Sequence, residues 1–265
     1  MSLIEINNLS HKYNSNKDEF HLEIPDWKLN KGDFVSFLGP NGSGKSTLLR
    51  IIAGLIEPSG GNVSLDGKTI SSYTRKELAK KVAYVPQNTL SLFPFSVSEI
   101  VLMGRYPFLN LFGFEKKEDI EIAAESMNLM DVYHLRKKGI NELSGGEAQR
   151  VFIARALAQK SEVILLDEPN AHLDLKHQLL IFDLLNNLNL DNQITLVLVS
   201  HDINLVAIYT KSIVFVDNGK IVGSGNKNEI LTAENIKKVF HIETAVLEGK
   251  EGNAMNVLIN PQVKF

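Results

Sequence analysis

Residues 39–47 read Gly39-Pro40-Asn41-Gly42-Ser43-Gly44-Lys45-Ser46-Thr47, which fits the pattern G-x-x-x-x-G-K-[ST] of a phosphate-binding loop. A buried strand is predicted before the loop, over residues 34–38, and a helix is predicted after it, over residues 48–53. Glycines let the backbone wrap tightly and point N–H groups inward, and the helix start adds the positive end of a dipole. Lys45 can then reach the β- and γ-phosphates, and the Ser46 hydroxyl can bind Mg²⁺. A plain glycine-rich turn is the alternative, but the strand–loop–helix order favours nucleotide binding.

The composition is that of an ordinary globular protein. The 265 residues are 44% hydrophobic and 22% charged, which suits one large domain or two small ones. A formal net charge of −3 gives no sign of a general nucleic-acid binder. The absence of cysteine excludes a disulfide framework and fits a reducing cytosol. Residues 1–5 do not resemble a signal peptide, and no apolar run approaches the ~20 residues that span a bilayer. Any membrane span is therefore expected from another chain.

Two polar side chains flank predicted strands and have two open interpretations each. Tyr13 follows the first strand, residues 3–6, and precedes a second at residues 20–24. It can stack on adenine or pack against the core. Gln87 follows a buried strand at residues 82–86. It can place an amide oxygen on Mg²⁺ or orient a water molecule, or it can be an ordinary loop residue.

From residue 88 to about 142 strand signals give way to helices, predicted at residues 97–103 and 116–130. The second helix carries apolar residues at helical spacing: Ile120, Ala123, Ala124, Met127 and Met130. These features predict a helical insertion in an α/β body. Its entry, residues 90–95, is apolar, and we expect most of it in the core and a part of it in contact with a partner.

A second anion site is predicted at the start of the next helix, which runs to about residue 159. Ser144 and Glu147 fit a capping box, which by itself indicates a well-capped helix. Gly145 and Gly146 bare the backbone where the helix dipole is most positive. The chain therefore has one phosphate loop more than a single nucleotide needs.

Two further buried strands end in groups suited to chemistry. Residues 162–169 are predicted as a parallel strand ending in Asp167, placed to hold Mg²⁺ through water, and Glu168, placed to take a proton from an attacking water. Residues 194–200 form another strand, followed by His201. Four strands thus end in candidate groups, and in a parallel sheet such ends share the edge where ligands bind.

The rest of the chain carries no predicted chemistry. We interpret His172 and His177 as structural or loop residues, because neither has a metal-ligand spacing with a partner. The predicted elements are strands at 213–216 and 220–222, a helical stretch to about 240, and strands at 245–248 and 256–259.

Taken together, the motifs resemble the ATP-binding cassette (ABC) ATPases over almost the whole chain. Residues 143–147 resemble the LSGGQ-type signature, with Glu147 in place of the commonest Gln. By this resemblance, residues 39–47 correspond to Walker A, Gln87 corresponds to the Q-loop, and Asp167 and Glu168 correspond to Walker B. Residues 170–174, including Asp174, correspond to the D-loop. His201 corresponds to the switch histidine, and Tyr13 corresponds to the aromatic residue that stacks on adenine.

This resemblance implies an α/β fold: a P-loop NTPase cassette with a RecA-like parallel-sheet core, an antiparallel β subdomain and an inserted α-helical subdomain. Residues 1–265 are then a single ATPase domain. Its α/β core with the N-terminal β subdomain takes residues 1–87 and 160–240, its helical subdomain 88–159, and a short C-terminal extension 241–265.

The chemistry implied by the resemblance is Mg²⁺-dependent ATP hydrolysis by two copies that face each other head to tail. Each ATP lies between residues 39–47 of one copy and Ser144-Gly145-Gly146 of the other. Lys45 and Mg²⁺ offset developing charge, Glu168 polarises the water, and His201 holds the water and the γ-phosphate. Gln87 signals to the helical insertion, where a cytoplasmic helix of a separate permease docks.

Within the family the chain resembles ATPase subunits of importers for iron–siderophore, haem or vitamin B12, on the basis of residues 101–107, 172–178 and 256–261. Asn170 departs from the usual Thr. The implied place is the cytoplasmic face of the cell membrane, bound through the permease and served indirectly by a substrate-binding protein, with no nucleic acid. The alternatives are an ATPase of another importer or an exporter, a non-transport ABC ATPase, and a module that holds ATP without turnover. Glu168 and His201 argue against the last.

Overall fold

A computed structural model describes residues 2–12, 20–87, 94–109, 114–248 and 255–259. The chain forms two compact units, and the second is inserted into the sequence of the first. The split unit consists of Met1–Ser72 and Thr195–Phe265. The inserted unit consists of Tyr73–Ile194.

The described residues form strands, α-helices and short 3₁₀ helices. The strands are β1 (Ser2–Lys12), β2 (His21–Asn30), β3 (Phe34–Leu38), β4 (Gly60–Leu65), β5 (Lys68–Thr69), β6 (Val82–Val85), β7 (Val163–Asp167), β8 (Thr195–Ser200), β9 (Ser212–Asp217), β10 (Lys220–Asn226), β11 (Thr244–Glu248) and β12 (Met255–Ile259). The α-helices are α1 (Lys45–Ile52), α2 (Arg75–Ala79), α3 (Val97–Leu102), α4 (Lys117–Leu129), α5 (Gly145–Ala158), α6 (Leu175–Asn192), α7 (Ile203–Tyr209), α8 (Lys227–Ile230) and α9 (Ala233–Phe240). The 3₁₀ helices are Ile70–Ser72, Met103–Phe108, Tyr133–Leu135 and Ile140–Glu142.

The split unit is built on a mixed sheet in the order β5-β4-β1-β2-β10-β9-β3-β8. β3 lies between β9 and β8 and runs parallel to both. All residues of β3 are buried, as expected for a parallel strand covered on both faces. Leu38 pairs with Ser200, so β3 and β8 end side by side at one edge of the sheet.

The far side of this sheet is antiparallel, through the pairs β1–β2, β1–β4 and β4–β5. Trp27 of β2 meets Phe37 of β3 edge to face, with ring centroids 5.3 Å apart. The predicted C-terminal strands are confirmed as the antiparallel hairpin β11–β12, and Val257 of β12 packs into a core that includes Val206 of α7 and Ile236 of α9.

The inserted unit combines the parallel pair β6–β7 with the helices α2 to α6. Val85 pairs with Leu166, so these two strands also end side by side. A buried ion pair braces the helices, because Arg105 Nε lies 2.9 Å from Asp119 Oδ1 of α4 and Arg105 Nη1 donates to Ala158 O of α5 at 2.8 Å.

Three helices begin at capping boxes, so their starts follow from the sequence. Thr74, Ser96 and Ser144 each form a capping box at the starts of α2, α3 and α5.

Two details differ from the sequence prediction. Ile120 of α4 is 56% exposed, whereas Ala123, at helical spacing from it, is buried.

The second difference is α7, which the sequence interpretation did not include. It begins directly after Asp202, whose carboxylate accepts from the N–H of Leu205 at 3.0 Å.

Within the described ranges no helix combines the length and the hydropathy that crossing a bilayer demands.

Candidate functional site

The phosphate loop lies in the split unit and connects β3 to α1. Gly44 has φ +101°, a left-handed conformation, and stands at the N-cap of α1, where no side chain caps the helix. A Cβ on Gly39 would lie 1.9 Å from the carbonyl oxygen of Val216, so a larger residue would clash with the backbone of β9. The loop therefore keeps the glycine-dependent shape expected of an anion-binding turn.

Lys45 places its charge inside this loop. Its Nζ donates to the carbonyl oxygens of Gly39 and Pro40, each at 2.8 Å, and lies 3.4 Å from Ser43 Oγ. The residue is only 5% exposed. Asn41 and Gly42 are exposed at the tip, and Ser46 and Thr47 lie in the first turn of α1. An ammonium surrounded by carbonyls and hydroxyls fits a triphosphate, whose oxygens accept charge-assisted hydrogen bonds.

Replacing Lys45 by alanine is expected to weaken ATP binding by about a hundredfold, since a charge-assisted contact to phosphate is lost. Fluorescence titration with a labelled ATP measures the dissociation constant, and circular dichroism checks that the Lys45 variant stays folded. Lys28→Ala is the control, because Lys28 is exposed and pairs with Glu5 at 3.5 Å. Normal affinity in the Lys45 variant would contradict the assignment.

His201 follows β8 at the same edge of the same sheet as the phosphate loop. Its neighbours are held in place: Asp202 N–H donates to Ser200 Oγ at 3.0 Å, and the Asp202 carboxylate caps α7. His201 itself is exposed. The split unit thus brings together two of the predicted groups, the loop and the histidine.

The inserted unit brings together Gln87, Asp167 and Glu168 at the ends of β6 and β7. Gln87 Nε2 donates to Glu168 Oε2 at 2.8 Å. Asp167 is 1% exposed, and its Oδ2 accepts the hydroxyl of Tyr84 at 3.0 Å. Glu168 has φ +48°, a left-handed backbone that costs a non-glycine residue about 1 kcal/mol and occurs at functional sites.

The second predicted anion site is the start of α5, also in the inserted unit. Ser144 donates its hydroxyl to Glu147 Oε2 at 2.7 Å and its N–H to the same oxygen at 2.8 Å, and Glu147 N–H donates to Ser144 Oγ at 3.3 Å. The Ser144 hydroxyl, followed by its N–H, holds the pKa of Glu147 below the usual value. The predicted capping box is confirmed.

Asp174 and His177 lie next to this segment. The His177 N–H and Nδ1 lie 2.9 and 2.8 Å from Asp174 Oδ1, so Asp174 caps α6, and the backbone and then the side-chain hydrogen bond lower its pKa. A Cβ on Gly146 would lie 2.6 Å from the His177 ring, so this histidine requires the glycine. The interpretation of His177 as structural did not include this contact with the signature.

The predicted site residues divide between the units. The split unit contains residues 39–47 and His201. The inserted unit contains Gln87, Asp167, Glu168, Ser144, Gly145, Gly146, Glu147 and Asp174. Tyr13 lies outside the described residues. Sequence reasoning missed Tyr84, which bonds to Asp167, and Asp202, whose helix-capping pattern was the available signal.

Comparison with known proteins agrees with this set of motifs. The family model described as ABC transporter matches residues 22–171. The ferric enterobactin transport ATP-binding protein FepC of Escherichia coli (strain K12) is 39% identical over 227 residues, which cover 86% of this chain and 82% of that protein.

Two solved structures extend the similarity to the fold. One, described as an inward-facing metal-chelate type ABC transporter, superposes with a TM-score of 0.86 at 31% identity and covers 99% of both chains. The other is a dimeric ATP-binding cassette in a post-hydrolysis state bound to ADP and phosphate, with a TM-score of 0.70, 32% identity and coverage of 84% of this chain and 98% of that one. The predicted α/β cassette fold is confirmed, and the chain belongs to the ABC transporter family as one of its ATP-binding, ATP-hydrolysing cassettes.

Proposed function

We propose that this chain is the Mg²⁺-dependent ATPase subunit of a metal-chelate importer, working as a pair of copies bound to a separate permease. The observation that carries the proposal is the end of β7. There Asp167 ends a buried strand, Glu168 follows it, and Gln87 Nε2 donates to Glu168 Oε2 at 2.8 Å. This arrangement provides a candidate general base in an orientation fixed by a neighbouring side chain.

The donor set fits Mg²⁺. The Ser46 hydroxyl, the Gln87 amide oxygen and the Asp167 carboxylate are oxygen ligands, which Mg²⁺ prefers, partly through water. Because Gln87 Nε2 donates to Glu168, its oxygen is the atom left for the metal. A bound Mg²⁺ would offset negative charge on the phosphates.

In the proposed reaction Glu168 takes a proton from the water that attacks the γ-phosphorus. Lys45 offsets the charge that develops on the phosphate, and His201 holds the water and the γ-phosphate in line. Asp174, Tyr13 and the remaining loop residues are proposed nucleotide contacts. Residues 1–265 act as one ATPase domain, with residues 88–159 as its helical part.

The spare anion site supports a homodimer. Ser144 and Gly145 are exposed at the start of α5, where the helix dipole is most positive. One nucleotide needs one phosphate loop, so we assign this second site to the ATP of a second copy in a two-fold, isologous pair. The dimeric ADP-bound cassette among the related structures is consistent with this assembly.

A pocket in the inserted unit suits the permease. It has a volume of about 210 Å³ and is lined by Phe95, Glu99, Leu102, Met103, Tyr106, Leu109 and Glu115. Hydrogen bonds from the Ser96 side chain and then its backbone lower the pKa of Glu99, which keeps its charge at neutral pH. An apolar pocket with acidic edges fits an amphipathic cytoplasmic helix with basic residues. The complex would lie at the cytoplasmic face of the membrane, served by a substrate-binding protein.

Co-purification from native membranes tests this function. We expect the tagged chain to bring down a permease whose reconstituted vesicles take up a metal chelate, with cargo like that named for FepC and the metal-chelate transporter. Tyr106→Asp should reduce recovery by about tenfold or more, because Tyr106 is 63% exposed in the pocket lining. Ile120→Asp, at a residue 56% exposed outside the lining, should not. If the permease that co-purifies belongs to an exporter, the assignment as an importer is wrong, and the assignment as an ATPase subunit stands.

A further inference from the structure

Glu147 occupies the donors that the proposed dimer needs. Its Oε2 accepts both the hydroxyl and the N–H of Ser144, at 2.7 and 2.8 Å. A γ-phosphate oxygen placed at this helix start would compete for the same two hydrogens. The carboxylate and the phosphate therefore cannot both be satisfied by Ser144 in its present geometry.

The charge of Glu147 makes this competition stronger. The hydrogen bonds from Ser144, opposed by burial and assisted by Lys138 and Arg150, hold the pKa of Glu147 below its usual value, so the group is ionised at neutral pH. An ionised carboxylate only accepts hydrogen bonds and cannot donate one to a phosphate. It also repels a phosphate held close by.

A second position for the carboxylate exists one turn along the helix. Arg150 is three residues after Glu147, a spacing at which side chains of α5 meet. In the described part of the chain the Nε and Nη1 of Arg150, which is 5% exposed, have no hydrogen-bond partner. A carboxylate released from Ser144 can pair with this guanidinium.

We propose that Glu147 is a positioning residue that restrains ATP-driven pairing of two copies, by holding the Ser144 donors until the γ-phosphate of the partner copy's ATP displaces it. This inference rests on the proposed homodimer. Glutamine at position 147 keeps the capping box, because an amide oxygen also accepts, but removes the charge. The restraint therefore predicts a gain of function on a conservative change, which a purely structural cap does not.

The experiment compares wild type, Glu147→Gln, Ser144→Ala and the double variant. Sedimentation measures the dimer dissociation constant with a non-hydrolysable ATP analogue and Mg²⁺, and titration of labelled nucleotide at low protein concentration measures binding to the single chain. Glu77→Gln is the matched control, since Thr74 and Glu77 form the same box, with both Thr74 donors 2.8 Å from Glu77 Oε2.

We expect Glu147→Gln to tighten the dimer by about tenfold per site while nucleotide binding to the single chain stays unchanged. In the Ser144→Ala background the same change should give a smaller gain than in wild type, because the hydroxyl is gone and only the backbone N–H is still shared. Glu77→Gln should match wild type. A Glu147→Gln dimer no tighter than wild type would overturn the restraint while the homodimer stands. If no variant dimerises with the analogue, the homodimer is overturned and the restraint with it.

Discussion

Replacing Glu168 by glutamine is expected to lower ATP turnover by about a thousandfold, the loss of a positioned general base. Glutamine has nearly the same shape, and its amide oxygen can still accept from Gln87, which now bonds Glu168 Oε2 at 2.8 Å. ATP binding should therefore remain normal. Nucleotide that binds and is not cleaved should hold two copies together, which sizing chromatography with and without ATP detects.

The control lies at the opposite end of the same strand. Glu162 directly precedes β7 and forms an ion pair with Lys81. Glu162→Gln removes a carboxylate without touching the carboxyl end of the strand, and turnover should stay within about twofold of wild type. Unchanged turnover in the Glu168 variant would remove this residue from the mechanism.

Asp119→Asn should lower the free energy of unfolding by about 3–5 kcal/mol, because it leaves the Arg105 guanidinium buried without a counter-ion. The two side chains are each 7% exposed, with Nε and Oδ1 2.9 Å apart. Arg105 also stacks over the Phe108 ring at 4.0 Å, so it cannot turn to solvent without losing that contact. Urea denaturation followed by circular dichroism measures the loss.

An exposed ion pair of the same helix is the control for this prediction. Lys117 and Glu121 lie 3.4 Å apart with side chains 91% and 64% exposed. Glu121→Gln should change the free energy of unfolding by less than about 0.5 kcal/mol. A similar cost for both variants would mean that burial does not make the Arg105–Asp119 pair special.

The pH dependence of Asp119 has a defined sign. Burial alone would raise its pKa, but hydrogen bonds from the Lys116 N–H and Arg105, with their charges, lower it below the usual 3.8. As the pH falls, the unfolded chain takes up the proton first. The stabilisation by the ionised Asp119 is therefore complete above the usual pKa and is lost as the pH falls through the pKa of the folded state. The difference in the free energy of unfolding between wild type and Asp119→Asn should therefore become smaller below about pH 4.

Most of the fold was predictable because local sequence determines it. β3 and β8 are mostly apolar and are buried throughout, as predicted. Helix α5 begins at the predicted capping box of Ser144 and Glu147. Spacing alone did not say how far a helix face is covered, which is why Ile120 was expected on the apolar face and is exposed.

The places of the candidate residues at strand ends could be predicted from the sequence, but their contacts could not. Neighbouring strand ends follow from parallel pairing, and the structure confirms this for β3 with β8 and for β6 with β7. Two features carry no short-range signal in the sequence: the hydrogen bond from the Tyr84 hydroxyl to Asp167, and the left-handed backbone of Glu168.

The insertion of one unit within the sequence of the other affects how the protein is made. β3 leaves the ribosome with both edges unpaired, because its neighbours β8 and β9 follow more than 150 residues later in the chain. At translation rates of about 5–20 residues per second these partners emerge roughly ten to thirty seconds afterwards. During that interval an apolar strand with two open edges is prone to aggregate. Nascent chains should therefore depend on chaperones until residue 217 has been synthesised.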